Sequence, residues 1–517
     1  MLSKRTEAGE VPLTHSTIRA FSLRNLLFAL QLLTVAVISH LLTRLPTWDH
    51  PMYGDDFLGV RVATMPIRDG SLWENIWLVG GGKWRPVTTS VLLWIGSRWG
   101  FSYPPYQILN SVLLIFLATS SGFMCWIFGG RRLASLMTSV AVTVSQFTWM
   151  SQISIYGVME LLAGIFLLLM VYFTWKVENT DTPSISHARI ASLFLLLASF
   201  THERFLLCAL PLVAYLAMQK VCAELRSRSW EPLLVPLLHL FLKGLLLRMD
   251  PVAGGGESDI QASAGPWILG HLLDSVKMLL GAYSGAGFFY SPNAITKLHN
   301  YLNLGNGAFI ASALMIVFVV LVTKRLGIQN RAWSPAFTVF LGATTIAALL
   351  PAATVVERIE GRWILVPQML LLMSLGAWTG HSPRRLFTAV GVIFASLTLC
   401  FGLWYLPTAD SLLALRDQPS VTMSMIENVA PSTGDWVLVI SQEDSTAPVS
   451  WQFGYGDALS QLVNPPYITY INTLNRGLCP VMRRTVTCVV VKLRGLDVPN
   501  SPVVTQTRAG PQSENRR

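Results

Sequence analysis

Two neighbouring carboxylates, Asp55 and Asp56, stand in YGDDF at 53–57. Hard oxygen ligands of this kind suit a divalent cation, magnesium or manganese. One of them could instead act as a general base and draw the proton from an attacking hydroxyl. Adjacent side chains point apart, so only one aspartate is expected to take that part, and the sequence does not choose between them. A solvated turn after Gly54 is the plain alternative. Some way on, GGGKWRP (80–86) sets Lys83 and Arg85 beside a glycine run that lets backbone approach a ligand closely. The planar fork of an arginine can give a phosphate two hydrogen bonds. The segment lacks the GxxxxGK[ST] spacing of a nucleotide-binding loop.

Three further groups of charge interrupt apolar sequence. Glu160 lies in SIYGVMELLAGIF, His202, Glu203 and Arg204 in THER, and Glu357, Arg358, Glu360 and Arg362 in VVERIEGRW. An acid in an apolar run is either functional or a structural hydrogen-bonding group. An imidazole such as His202 can meet a phosphate, although a structural role is the commoner one. Glu203 and Arg204 could pair with each other or extend to water. The four charges of VVERIEGRW cluster where a short loop has no need of them, which favours a functional Arg362; an ordinary solvated loop is the plain alternative.

These residues must be positioned by membrane helices. The chain has 517 residues, 52% hydrophobic and only 13% charged, against roughly 25% charged in an ordinary soluble domain. That excludes an extended disordered chain and argues against a soluble enzyme. Apolar runs at 25–43, 106–128, 133–150, 156–175, 189–203, 205–219, 230–248, 307–323, 332–352, 363–380 and 386–407 predict about eleven spans. The net charge of +10 then reads as a topology signal rather than a nucleic-acid footprint. With the N-terminus cytoplasmic, every short inner connection carries Lys or Arg, from Arg131 and Arg132 through Lys176, Arg189 and Arg228 to Arg384 and Arg385. The assignment requires 189–219 to be two short helices hinged at THER, because a single helix would place three ionisable groups in mid-membrane. The stretch 265–285 reads as a helix lying in the interface. No secretory cleavage pattern precedes the first span, so an uncleaved anchor is expected.

The predicted architecture is mainly α: a polytopic membrane helical bundle with a small C-terminal extracytoplasmic α/β lobe. Residues 1–24 form a cytoplasmic tail and 25–407 the transmembrane domain. The first outer loop, 44–105, carries the acidic motif and an interfacial helix after Pro86. The lobe occupies 408–505, with strands at DWVLVIS, YITYIN and TCVVVKL, and 506–517 is a polar tail. In an oxidising compartment Cys479 and Cys488 could bridge, while Cys125, Cys208, Cys222 and Cys400 read as packing residues.

The order of these features resembles the GT-C-type polytopic glycosyltransferases, close to bacterial membrane glycosyltransferases and to protein O-mannosyltransferases. An acidic pair follows the first span, and an Arg-Pro segment opens an interfacial helix. Glu160 precedes a Leu-rich run, and THER stands at the hinge, with His202-Glu203 where the family usually has Lys-Glu or Lys-Gly. Arg362, Trp363 and Pro367 match an Arg-aromatic-x-x-x-Pro motif. The resemblance covers roughly residues 25–380 and includes no tetratricopeptide repeats.

The resemblance implies a sugar passed from a polyprenyl-phosphate donor to an acceptor hydroxyl of a glycan, lipid or protein. Transfer would take place on the extracytoplasmic side of a bacterial inner membrane, in cell-envelope glycan assembly. An aspartate of the first loop would be the base, or a metal ligand in some branches. Arg85, Arg362, Lys83 and His202 would meet the donor phosphate, with Glu160, Glu203 and Arg358 in support. The competing reading is a transporter or flippase of a lipid-linked or anionic substrate, against which no inverted repeat is visible.

Overall fold

A computed structural model describes residues 23–44, 84–99, 104–145, 147–180, 185–219, 223–246, 334–353 and 361–379. It also describes four positions within 272–279 and three short strands at 436–441, 468–470 and 488–493. The helices are α1 (Leu23–Arg44), α2 (Pro86–Trp99), α3 (Pro104–Ile127), α4 (Arg132–Val144), α5 (Thr148–Ile153) and α6 (Gly157–Glu178). Then follow α7 (Ile185–Thr201), α8 (Ala209–Ala217), α9 (Ala223–Ser227), α10 (Leu234–Phe241), α11 (Pro335–Ala353) and α12 (Leu365–Thr379). Within them, Asn25–Thr43, Pro104–Ile127 and Gly157–Glu178 are long and apolar enough to cross a membrane. The runs expected at 307–323 and 386–407 lie outside the described residues.

Side-chain pairs fix which helix ends share a level. Glu178, at the end of α6, accepts hydrogen bonds from Gln219 just past α8 (2.9 Å) and from Ser334 just before α11 (2.8 Å). Arg189, early in α7, grips Glu231 with two bonds of 3.0 and 3.1 Å. Phe128, after α3, packs on Trp175 of α6 and Phe337 of α11. Arg132 lies 5.5 Å over the ring of Phe28 near the start of α1. Thus Arg131, Arg132, Lys176, Arg189, Arg226 and Arg228 are grouped toward one end of the bundle. At the other end Asn110, early in α3, donates to the carbonyls of Gln152 (3.2 Å) and Ser154 (2.7 Å), just before α6 begins.

The hinge expected at THER is present. His202 adopts φ −153° and ψ 119°, which ends α7 and begins a 3-10 segment, Glu203–Cys208, leading into α8. At 1.5 Å per α residue and 2.0 Å per 3-10 residue, α7 and the returning limb are each about 25 Å long. That equality brings Gln219 back to the level of Glu178. Helix α7 packs along α6 through Ala188, Ala191, Leu195 and Ala198, all buried at alternating spacings of three and four. Three of the four are alanines, which permit close backbone approach.

One expected span is broken. The run 133–150 ends as helix at Val144, because Ser145 is extended (φ −52°, ψ 135°). Hydroxyls take over the local bonding there: the Phe147 amide donates to the Ser145 hydroxyl at 3.2 Å, and the Thr148 hydroxyl donates to the Ser145 carbonyl at 2.6 Å. The Ser145 hydroxyl in turn bonds the side-chain oxygen of Gln368 on α12. Side-chain hydroxyls of this kind compete with helix bonding. The short α5 then turns sharply into α6 at Gly157, where an added Cβ would lie 1.6 Å from the Ser151 carbonyl oxygen.

In the expected interfacial segment, Leu272 and Val276 pack against the helical core, and Ser275 and Leu279 are buried. The strands β1 (Trp436–Ser441), β2 (Ile468–Tyr470) and β3 (Cys488–Leu493) pair in parallel in the order β2-β1-β3. Parallel neighbours require crossover connections, and the segments that would supply them lie outside the described residues. So does Cys479, and with it the expected bridge to Cys488. Cys125 and Cys208 are free and buried, as expected of packing residues.

Two glycine substitutions test this packing in opposite directions. Gly157→Ala forces the α5–α6 turn apart and should lower stability by about 2 kcal/mol or more. Gly342→Ala meets nothing within 4 Å and should be neutral or stabilising by up to about 1 kcal/mol. Thermal unfolding of the two variants in detergent checks both.

Candidate functional site

The residues singled out in the sequence divide clearly. Asp55, Asp56, Lys83 and Arg358 lie outside the described residues. Arg85, Glu160, His202, Glu203, Arg204 and Arg362 converge at the bundle end opposite the basic one. Each stands at a helix terminus for a local reason. Pro86 opens α2, where its missing N–H costs nothing, and so sets Arg85 immediately before the first turn. The Thr88 hydroxyl donates to the Thr201 carbonyl at 2.9 Å, satisfying a group at the end of α7 and tying α2 to the hinge. Glu160 falls in the first turn of α6, where a negative charge is favoured. The His202 side chain caps the 3-10 segment by accepting from the Arg204 amide at 3.4 Å. Arg362 lies in a 3-10 turn, Gly361–Ile364, at the entry to α12.

Two ion pairs hold the cluster. Arg85 meets Glu203 through both Nε and Nη2 at 2.7 Å, and its Nη1 reaches Met159 Sδ at 3.0 Å. Arg204 pairs with Glu160, whose side chain is fully buried, and lies against the ring of Phe205. Glu203 and Arg204 therefore do not satisfy each other; each binds a partner on a different helix. His202 bridges the pairs, with Nε2 3.9 Å from a Glu160 oxygen and Nδ1 3.5 Å from a Glu203 oxygen. Arg362 is close enough for its charge to act on both Arg85 and His202.

The electrostatics follow from this placement. Burial alone would raise the Glu203 carboxyl, but the charge and hydrogen bonds of Arg85 outweigh it and hold the group well below the usual carboxylate range. Burial and the Arg85 charge push His202 well below its ordinary value, so the imidazole is neutral. Burial opposes the charge of Arg85, and Glu203 overcomes that and keeps the guanidinium ionised. A carboxylate locked in a bidentate arginine pair is a weak base, which disfavours Glu203 as a proton acceptor. The Arg85 fork is likewise engaged, so an incoming anion would have to displace Glu203 to use it fully. Among the described residues no three His, Cys, Asp or Glu side chains are grouped to hold a metal ion.

The sequence reading missed His239 and Lys243. His239 lies in α10 and Lys243 in the turn Leu242–Leu246 that follows it, and both are buried in an otherwise apolar segment. The His239 ring lies 5.6 Å from Trp84 and 5.8 Å from Phe200, beside the hinge. Their spacing of four in LLHLFLKGLL was the available signal. No family model matches the chain, and no curated protein matches it.

Two outcomes follow. Glu160→Gln leaves Arg204 as a buried charge without its carboxylate and should cost about 3–5 kcal/mol, whereas Glu160→Gln combined with Arg204→Met should recover most of it; unfolding of the three proteins measures this. Acid should also weaken the fold. His202 and Glu203 both bind protons less readily when folded, so the unfolded chain takes up more protons as pH falls. Stability is then lost below about pH 6.5 through His202, and further below about 4.5 through Glu203. In Glu203→Gln the lower limb should flatten, as read from melting temperature against pH.

Proposed function

We propose that the protein is a membrane glycosyltransferase of the GT-C type. On this reading it takes a sugar from a polyprenyl-phosphate donor and passes it to an acceptor hydroxyl on the extracytoplasmic side. The observation that carries the reading is the meeting of three remote segments at one bundle end: the Arg-Pro start of α2, the THER hinge and Arg362 at the entry to α12. These are the segments on which the resemblance rests, and the loop bearing Asp55 and Asp56 leads directly into the first of them. The grouping of basic residues at the opposite end supports an orientation with that end cytoplasmic. The apolar helices support residence in the bilayer, and we assign the protein to a bacterial inner membrane.

The chemistry divides between the two kinds of charge. Asp55 or Asp56 takes the proton of the acceptor hydroxyl as it attacks the anomeric carbon. The bond to the lipid phosphate oxygen breaks, and Arg362 neutralises the charge on the departing phosphate. The Arg85–Glu203 and Arg204–Glu160 pairs position the segments and keep the cluster dry rather than reacting. A C-terminal α/β lobe outside the membrane would present the acceptor.

Substitution with the fold retained tests the assignment. In proteoliposomes with polyprenyl-phosphate sugar, Asp55→Asn or Asp56→Asn should reduce transfer at least 100-fold. Arg362→Ala should weaken apparent donor affinity by roughly tenfold, the equivalent of about 1.4 kcal/mol. Full transfer by both aspartate variants would falsify the catalytic assignment. Unchanged donor affinity in Arg362→Ala would remove its phosphate role.

A further inference from the structure

Helix α1 is the most peripheral of the three long helices: 28% of its apolar span is buried, against 50% and 72% in α3 and α6. One narrow face holds it in the bundle. Asn25, Phe28, Leu32, Ala36, His40 and Thr43 are buried on that face, where α1 packs on α3 and α4. The outward side has an order of its own. Leu27, Gln31, Thr34, Ile38 and Leu41 are all exposed and follow one another at spacings of four, three, four and three. That is the spacing of a seam between two helices, with Gln31 and Ile38 at a positions and Leu27, Thr34 and Leu41 at d positions.

Gln31 distinguishes this seam from an ordinary lipid-facing surface. Exposed leucines need no cover in a bilayer, because lipid tails are equally apolar. The Thr34 hydroxyl needs none either, since it donates to the Leu30 carbonyl at 2.9 Å. The Gln31 amide has no hydrogen-bond partner among the described residues, and hydrocarbon offers none. It stands six residues beyond Asn25, where the apolar span begins, which is about 9 Å along the helix axis.

We propose that two copies of this chain associate through α1, with their Gln31 amides hydrogen-bonded to each other across a two-fold axis. The chemistry selects a second copy over another partner. Copies inserted in the same orientation lay α1 against α1 in parallel, so Gln31 meets Gln31 at the same depth. A glutamine amide carries both donors and an acceptor and so complements itself, as an interface with two-fold symmetry requires. A different helix would need a polar group placed at that one level. The flanking residues suit two strands: Ile38 is β-branched at a, and Leu27 and Leu41 stand at d. A single strongly polar residue at an a position also fixes the register. Association of this kind is independent of sugar transfer.

The test uses the full-length protein, singly labelled, in liposomes at falling protein-to-lipid ratio, with copies per particle counted by single-molecule photobleaching. The wild type should pass reversibly from two copies to one on dilution. Gln31→Leu should shift the midpoint toward monomer by roughly tenfold, the equivalent of about 1.4 kcal/mol. Gln31→Asn keeps the amide and should stay within about threefold of the wild type. Copper-phenanthroline oxidation reads the geometry separately, with the wild type as background for the native cysteines. Ile38→Cys should give a band of twice the mass. Leu33→Cys, also exposed but about a third of a turn off the seam, should not. Single copies at every ratio, particles of more than two copies, or an unchanged midpoint in Gln31→Leu overturns the proposal. So does an equal loss in Gln31→Asn and Gln31→Leu, or equal cross-linking at both cysteine positions. A cross-link of Ile38→Cys that stays within one chain overturns it as well, because another apolar segment of the same chain then covers the seam.

Discussion

Charge cannot be left unpaired in an apolar bundle, and this constraint organises the whole described structure. Removing a guanidinium or carboxylate from water costs several kcal/mol even after relaxation. Arg85, Glu160, Glu203 and Arg204 come from three separate stretches of chain, and each must find its partner on another helix. Once Arg85 grips Glu203 through both arms of its fork, the start of α2 is fixed against the end of α7. Once Arg204 meets Glu160, the hinge is fixed against the start of α6. Two pairs thus determine the relative height of three helices.

The same constraint explains why the chain breaks where it does. A continuous helix over 185–219 would carry His202, Glu203 and Arg204 to its middle. The extended conformation of His202 instead reverses the chain, so the three ionisable groups sit at a bundle end. The returning limb is mixed 3-10 and α, and its length matches α7. The match lets a second polar tie form at the far end, where Glu178 collects Gln219 and Ser334. Polar groups therefore close both ends of a unit whose middle is held by Leu195, Phe205, Leu212, Leu167 and their neighbours.

How much of this was legible in the sequence depended on whether the signal was local. The THER reversal was legible because three ionisable residues interrupt an apolar run, and the energetic argument needs no partner. The helices at 23–44, 104–127 and 157–178 were legible from apolar length alone. The break at Ser145 was not, because Ser and Thr are tolerated in apolar helices, and only the distant Gln368 makes the alternative bonding worthwhile. The pairing of Glu203 was also hidden: its nearest cation in sequence is Arg204, but the partner it takes is 118 positions away. His239 and Lys243 were passed over because a single His or Lys in an apolar run reads as incidental until its neighbours are known. Asp55 and Asp56, the residues on which the catalytic proposal turns, were legible as an adjacent acidic pair soon after the first span.

Stability alone does not account for the cluster. Replacing a buried ion pair with apolar side chains of similar volume is often neutral or stabilising, so a bundle selected only to fold would have little use for two adjacent pairs. What ion pairs give that leucines do not is fixed geometry, since a bidentate fork has one orientation whereas apolar packing tolerates several. The cluster fixes the end of α7 and the start of α2, and Arg362 stands close enough for its field to be felt there. If the paired arginines hold the frame and Arg362 meets the substrate, removing a frame charge should disturb stability and binding together. Removing Arg362 should disturb binding with little effect on the fold. That division of labour is the physical content of calling the bundle end a site rather than a structural knot.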